Sequence, residues 1–389
     1  MKSMRKPYSI VFSAVLLLVG SAQGAWAQKV YDLGHYPGGT WAGAWGINNS
    51  GVVVGWGDIA SGYTRPIGVP LLGPNAGQWF DLGTLGGEDT DDHVMCMGIT
   101  GAGMIVGHTA NAAGDIHGFA WTAKSGMVDI GTLAGLGYSG FNFSLAYGVN
   151  KAGTLIVGLS GSGWFTADTL PVVWTPTVVS TSSGPRTTWN IQKLDTTGFE
   201  ADTYWAPQSV NNFGQITGTA TGPDGVEISV LWNPVPGGEG WKIAQLPVPT
   251  DYPNSSPFDN NDEGEIVGFV VSPDWSTALP ALWRKGPPGG NVWSLTVLPT
   301  LSGAPQGWNL AAGINDRGDI VGPSTDAAGN FFASRWSTKD PAFVQPLAFP
   351  VAQSAGAWSF ANWVNDNGIA AGWYGSSTIN QNAFAVRFR

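Results

Sequence analysis

Short apolar runs recur along this chain, each entered through a polar turn and left through a glycine. They lie at residues 52–54, 104–106, 155–157, 216–217, 266–267, 320–321 and 369–371, and they end in Gly55, Gly107, Gly158, Gly218, Gly268, Gly322 and Gly372. Six follow an Asn-x-x-Gly turn, at Asn48, Asn150, Asn211, Asn261, Asn315 and Asn365; the second copy has Thr100 in the Asn position. Runs this short, bounded by turn residues, read as strands rather than helices. Asn tolerates left-handed backbone and Gly supplies positive φ without steric cost, so each turn is a hairpin between antiparallel strands. Seven copies at intervals of about 50 residues, one of them nearer 60, mark a propeller or an array.

Each unit reads as four strands. In the second copy these fall at 97–100, 104–106, 117–121 and 127–130. Third strands end in Trp121, Trp174, Trp232, Trp283 and Trp336, and fourth strands carry Trp79, Trp189, Trp241, Trp293 or Phe343. A large ring recurring at one register is a packing plug between sheets, because burying it removes about 150–250 Å² from water. The last copy stops after a third strand at 383–388, while residues 30–34 repeat the fourth-strand phrase of 80–83 and 128–131. The N-terminal strand is therefore expected to complete the seventh sheet and close the ring, which removes an exposed edge. The predicted fold is an all-β, seven-bladed β-propeller spanning residues 28–389 as one domain.

Composition narrows the setting. Residues 1–27 carry a basic start at Lys2, Arg5 and Lys6, an apolar run over 10–20 and a small-x-small site at Ala25-Trp26-Ala27, the layout of a secretory signal peptide. Cleavage after Ala27 is expected, leaving no membrane span and placing the protein in the periplasm or outside the cell. Cys96 is the only cysteine, so packing rather than a disulfide framework supplies stability. Charged residues are 11% of the chain and the net charge is −10, with no Lys/Arg cluster to neutralise phosphates, which excludes nucleic acid as a partner. The pattern implies no cofactor and selects no oligomeric state.

The repeated phrases resemble the bacterial extracellular HAF-repeat family, whose unit resembles DLGTLGG, then GIN-x-x-G-x-VVG, then HAF-x-W. Here they stand as DLGTLGG at 81–87, GINNSGVVVG at 46–55 and HGFAW at 117–121. The resemblance covers nearly all of residues 29–389, is strong in the first two copies and decays from the fourth onward, as in Val297-Leu298-Pro299-Thr300-Leu301-Ser302-Gly303. It implies export, a propeller-like fold and a structural role for His117, and it transfers no catalytic set.

In a propeller, the loops joining one sheet to the next share a face with those between second and third strands. On that face aromatics concentrate, and Trp45, Tyr147, Trp205, Trp308, Trp358 and Trp363 are the leading ligand candidates. Exposed rings with polar neighbours suit stacking on a carbohydrate or another extended uncharged polymer. The competing reading folds these rings down to seal the sheets. The titratable cluster of the second unit, with Asp91, His93 and His108, offers a weaker site for a divalent metal or for polysaccharide lyase or hydrolase chemistry, although it lacks ligand spacing. Residues 259–264 begin like a calcium loop, but Val270 stands where the bidentate Glu belongs, and Arg317-Gly318-Asp319 is the repeat's own turn. The leading expectation is a non-enzymatic glycan-binding protein. An enzyme built around His93 and a structural surface or adhesion protein with protein partners are the alternatives.

Overall fold

The computed structural model describes residues 28–388 apart from 89–93, 165, 167, 183, 287–291, 353–355 and 377–379. The described residues form seven four-stranded antiparallel sheets whose first strands neighbour one another in a circle, a seven-bladed β-propeller. Blade two consists of Met95–Ile99, Ile105–Ala110, Ile116–Thr122 and Gly126–Asp129, so its innermost strand starts earlier than the sequence pattern suggested. Blade three ends in a long hairpin, Leu170–Thr181 and Gly184–Lys193, which accounts for the one long interval in the repeat. Lys29–Gly34 pairs antiparallel with Asn382–Arg387 and supplies the fourth strand of blade seven. The Tyr374 hydroxyl donates to Asp32 Oδ1 at 3.0 Å and fastens this closure.

The repeat's residues have separable tasks. All seven turn glycines are left-handed, with φ between 69° at Gly368 and 84° at Gly103. The Asn side chain, or Thr100, accepts the backbone N–H four residues on, as from Val52 to Asn48 Oδ1 at 2.9 Å and from Met104 to Thr100 Oγ1 at 3.0 Å. The strand-ending glycine answers a different demand. A Cβ at Gly55 would lie 1.8 Å from the Gly43 carbonyl oxygen, and one at Gly158 would lie 1.8 Å from that of Leu145. The innermost strand bulges there and brings its backbone too close for any side chain.

Between blades, Trp174, Trp232, Trp283 and Trp336 are fully buried. Each indole N–H donates to a carbonyl just past the last strand of the preceding blade: Gly131 at 3.3 Å, Asp195 at 2.7 Å, Pro247 at 2.8 Å and Pro299 at 2.7 Å. The third-strand tryptophan thus fills the space between sheets and satisfies its own donor.

Candidate functional site

The bulge builds the site. In the pairing of first and second strands the register shifts between Ala44 and Gly46, Cys96 and Gly98, Ala146 and Gly148, Pro207 and Ser209, Pro257 and Asp259, and Ala361 and Trp363. The skipped residue always stands three before the turn Asn or Thr100; in blade six that place is Ala312. An unpaired residue on the innermost strand turns toward the axis. Trp45, Met97, Tyr147, Gln208, Phe258, Ala312 and Asn362, one from each blade, line a single cavity of about 210 Å³. Leu310, Pro323, Phe360, Trp363 and Trp373 complete its wall.

This wall is aromatic and uncharged. Trp45 stacks on Trp373 at 5.2 Å between centroids and 22° between planes, Phe360 stacks on Trp373 at 5.7 Å, and Trp56 backs Trp45 at 5.1 Å. Besides the indole N–H groups, its side-chain polar groups are the Gln208 amide, the Asn362 amide, which donates to the Ala44 carbonyl at 3.1 Å, and the Tyr147 phenol. Burial pushes that phenol well above its usual range, and a hydrogen bond with Tyr204 adds to the effect. The described lining contains no carboxylate, ammonium, guanidinium or imidazole.

On the turn face the ring is tied blade to blade. The Asn48 amide donates to the Thr100 carbonyl, Asn211 to that of Asn261, Asn261 to Asn315, Asn315 to Asn365 and Asn365 back to Asn48, at 2.8–3.1 Å. Thr100 has no amide to give blade three, and the Asn150 amide turns to Thr154 Oγ1 instead, at 2.9 Å. Lys151 of blade three reaches across the ring to Asp316 of blade six and, at 3.2 Å, to Asp366 of blade seven. Burial opposes its charge, yet the two carboxylates raise its pKa. Asp259, fully buried, links three blades: Oδ1 accepts from Ser209 Oγ at 2.7 Å and Oδ2 accepts from Ile314 N at 2.9 Å. Burial pushes its carboxyl up to about 7, against the pull of these donors and of Lys151.

The residues singled out from sequence separate. Trp45, Tyr147 and Trp363 line the cavity. Trp358 lies edge-on to Phe360 at 5.9 Å. Trp205 is 3% exposed and packs inside the ring wall against Phe199 and Trp232, away from the channel. Trp308 is 39% exposed beside Trp275. Five of the six sit in innermost strands rather than in sheet-joining loops, because those strands run further toward that face than the apolar pattern indicated. Met97 and Gln208 were missed; their signal was the register three before the turn.

Asp91 and His93 lie outside the described residues. His108 belongs to a second strand, is fully buried and meets Tyr147 and Trp164 edge-on, at 6.2 and 5.6 Å. His117 Nδ1 pairs with Asp129 Oδ2 at 2.7 Å and Nε2 meets the Asn142 carbonyl at 2.9 Å, so both ring nitrogens serve the fold. Among the described residues no three His, Cys, Asp or Glu side chains converge on one point.

No family model and no curated protein sequence matches this chain. Among solved structures it is similar to Trypanosoma rangeli sialidase in complex with the inhibitor DANA, at 11% identity over 93% of this chain and 59% of that one, with a TM-score of 0.44. It is similar to the Hadza microbial sialidase Hz136 at 11% identity over 92% and 68%, TM-score 0.41. AofleA from Arthrobotrys oligospora matches at 12% identity over 74% and 80%, TM-score 0.41. The chain spans 59% of the length of the T. rangeli sialidase it matches.

Proposed function

We propose that this protein is an exported carbohydrate-binding propeller that takes one uncharged sugar ring of a glycan into its axial cavity. The observation that carries this reading is the composition of the cavity wall: aromatic rings, two amides and a phenol, with no charge in the described lining. The C–H face of a sugar stacks on an indole, and its hydroxyls pair with amides that tolerate both donor and acceptor roles. An acidic sugar would need a guanidinium or ammonium to offset the loss of hydration, and the lining offers none. Glycoside hydrolysis generally needs two carboxylates flanking the bond, so this lining favours retention of a ligand over its turnover. At about 210 Å³ the space is below the usual 300–1,000 Å³ of small-molecule sites and suits a single ring. The signal-like first 27 residues support action outside the cytoplasm.

Titration of intrinsic tryptophan fluorescence with neutral glycans tests the proposal, since Trp45 and Trp373 face the ligand. A saturable change is expected with at least one neutral sugar, and Trp45→Ala and Gln208→Ala should each weaken it about tenfold, the scale of one lost stacking or hydrogen-bonding contact. A wild-type protein that responds to no glycan, with calorimetry agreeing, overturns it.

A further inference from the structure

Trp275 and Trp308 form a second aromatic surface at the rim. Each is 39% exposed, and their rings lie 6.5 Å apart between centroids and 28° from parallel. Two independent features show that this pair is built rather than incidental.

The first is a comparison between blades of the same chain. The turns between second and third strands share one hydrogen-bond pattern, in which the fourth residue donates its N–H to the carbonyl of the first. Gly62, Gly114, Gly225 and Gly329 fill that fourth place in blades one, two, four and six, with φ from 77° to 88°. Blade five puts Trp275 there at φ 59°, the only positive-φ residue other than glycine among those described. Left-handed backbone disfavours a large side chain, and the turn is held in it by Asp274 Oδ1, which accepts from Ser272 Oγ at 2.6 Å, Ser276 Oγ at 2.8 Å and Ser276 N at 3.1 Å. Folding alone is served better by glycine, so the indole has another use.

The second feature is continuity with the cavity. The segment entering blade six alternates: Asn309 and Ala311 are fully buried, while Ala312 and Leu310 line the cavity and Trp308 stands exposed beyond them on the same side. Leu310 N and Ala312 N donate to the Pro323 and Val321 carbonyls, and Thr325 Oγ1 holds the Trp308 carbonyl at 3.1 Å, so this track is rigid.

We infer that the ligand is bound end-on, with a terminal sugar in the axial cavity and the following units running outward along blade six onto the Trp275–Trp308 platform. This rests on the cavity binding a sugar, and it adds a direction, a requirement for an oligosaccharide and a second subsite. An uncharged chain fits because the platform offers two aromatic rings, and the one carboxylate in its turn, Asp274, is engaged by the Ser272 and Ser276 hydroxyls.

The test is calorimetry on neutral gluco-, manno-, xylo- and N-acetylhexosamine oligomers of increasing length, with wild type, Trp275→Gly and Trp308→Ala. Wild-type affinity should rise with length. Both variants should bind long oligomers about tenfold more weakly while binding the monosaccharide as wild type does. Trp275→Gly should also raise the melting temperature, which separates loss of a subsite from loss of fold. Equal affinity for monomer and long oligomer, or wild-type affinity for long oligomers in Trp275→Gly, overturns the end-on arrangement and leaves the cavity reading standing. Failure to bind any sugar overturns both.

Discussion

Single residues carry more than one duty in this ring, and Asp259 is the clearest case. It occupies the register two before the turn Asn, where Gly46, Gly98, Gly148 and Gly313 stand in four other blades. At Gly148 and Gly313 a Cβ would crowd the backbone of the next blade, at 2.6 and 2.7 Å. Ser209 and Asp259 replace that contact with hydrogen bonds linking blades four, five and six. Because burial raises the folded pKa to about 7 from 3.8, the native state holds a proton that the unfolded chain has released between those values. The group's contribution to stability is therefore largest at low pH and falls as pH rises from about 4 to about 7, with an upper bound of about 4 kcal/mol. Denaturant midpoints measured across that range should decline for wild type relative to Asp259→Asn, whose amide does not titrate. Parallel profiles for the two proteins would refute this.

At the scale of elements, the Asn-x-x-Gly hairpin joins blades as well as strands. Its side-chain oxygen closes its own turn while its amide donates to the next turn's carbonyl, so one residue sets both the local bend and the approach of neighbouring sheets. Thr100 performs only the first task. Thr100→Asn should restore a buried amide-to-carbonyl bond from blade two to the Asn150 carbonyl and stabilise the protein by about 0.5–1.5 kcal/mol, read as an upward shift of the denaturant midpoint. An unchanged or lower midpoint would show that blades two and three are spaced differently from the rest.

The whole molecule is a closed ring in which the N-terminal strand Lys29–Gly34 lies beside the C-terminal strand Asn382–Arg387. Removing residues 28–34 exposes the edge of Asn382–Arg387 and frees the Phe384 and Tyr374 side of blade seven, so a lower melting temperature and concentration-dependent aggregation are expected by light scattering. A truncated chain melting with the wild type would contradict closure by this strand.

Much of this architecture was legible in the chain because its signals are local. A turn needs Asn and Gly at fixed offsets, and counting turns gives seven blades. The fourth-strand phrase at 30–34 gives the closure. The interblade tryptophans were legible for the same reason, recurring at one register. The site was only partly legible. Trp45 and Tyr147 share the register three before the turn, whereas Trp205 stands six before it and Trp308 and Trp358 seven before it. The bulge turns its unpaired residue to the axis and outward from it the strand alternates regularly, so positions three and five before the turn line the cavity, seven before it lies further out on the same side, and Trp205 at six before it is buried in the wall. The same bulge accounts for the strand-ending glycine, so its mark was present in the sequence as a glycine without a turn to explain it. Turn chemistry and period, which act within a few residues, determined the number and closure of the blades. Only the assembled ring decided which aromatics meet at the axis, because that depends on seven strands separated by about 50 residues converging at one register, bulged in six of them.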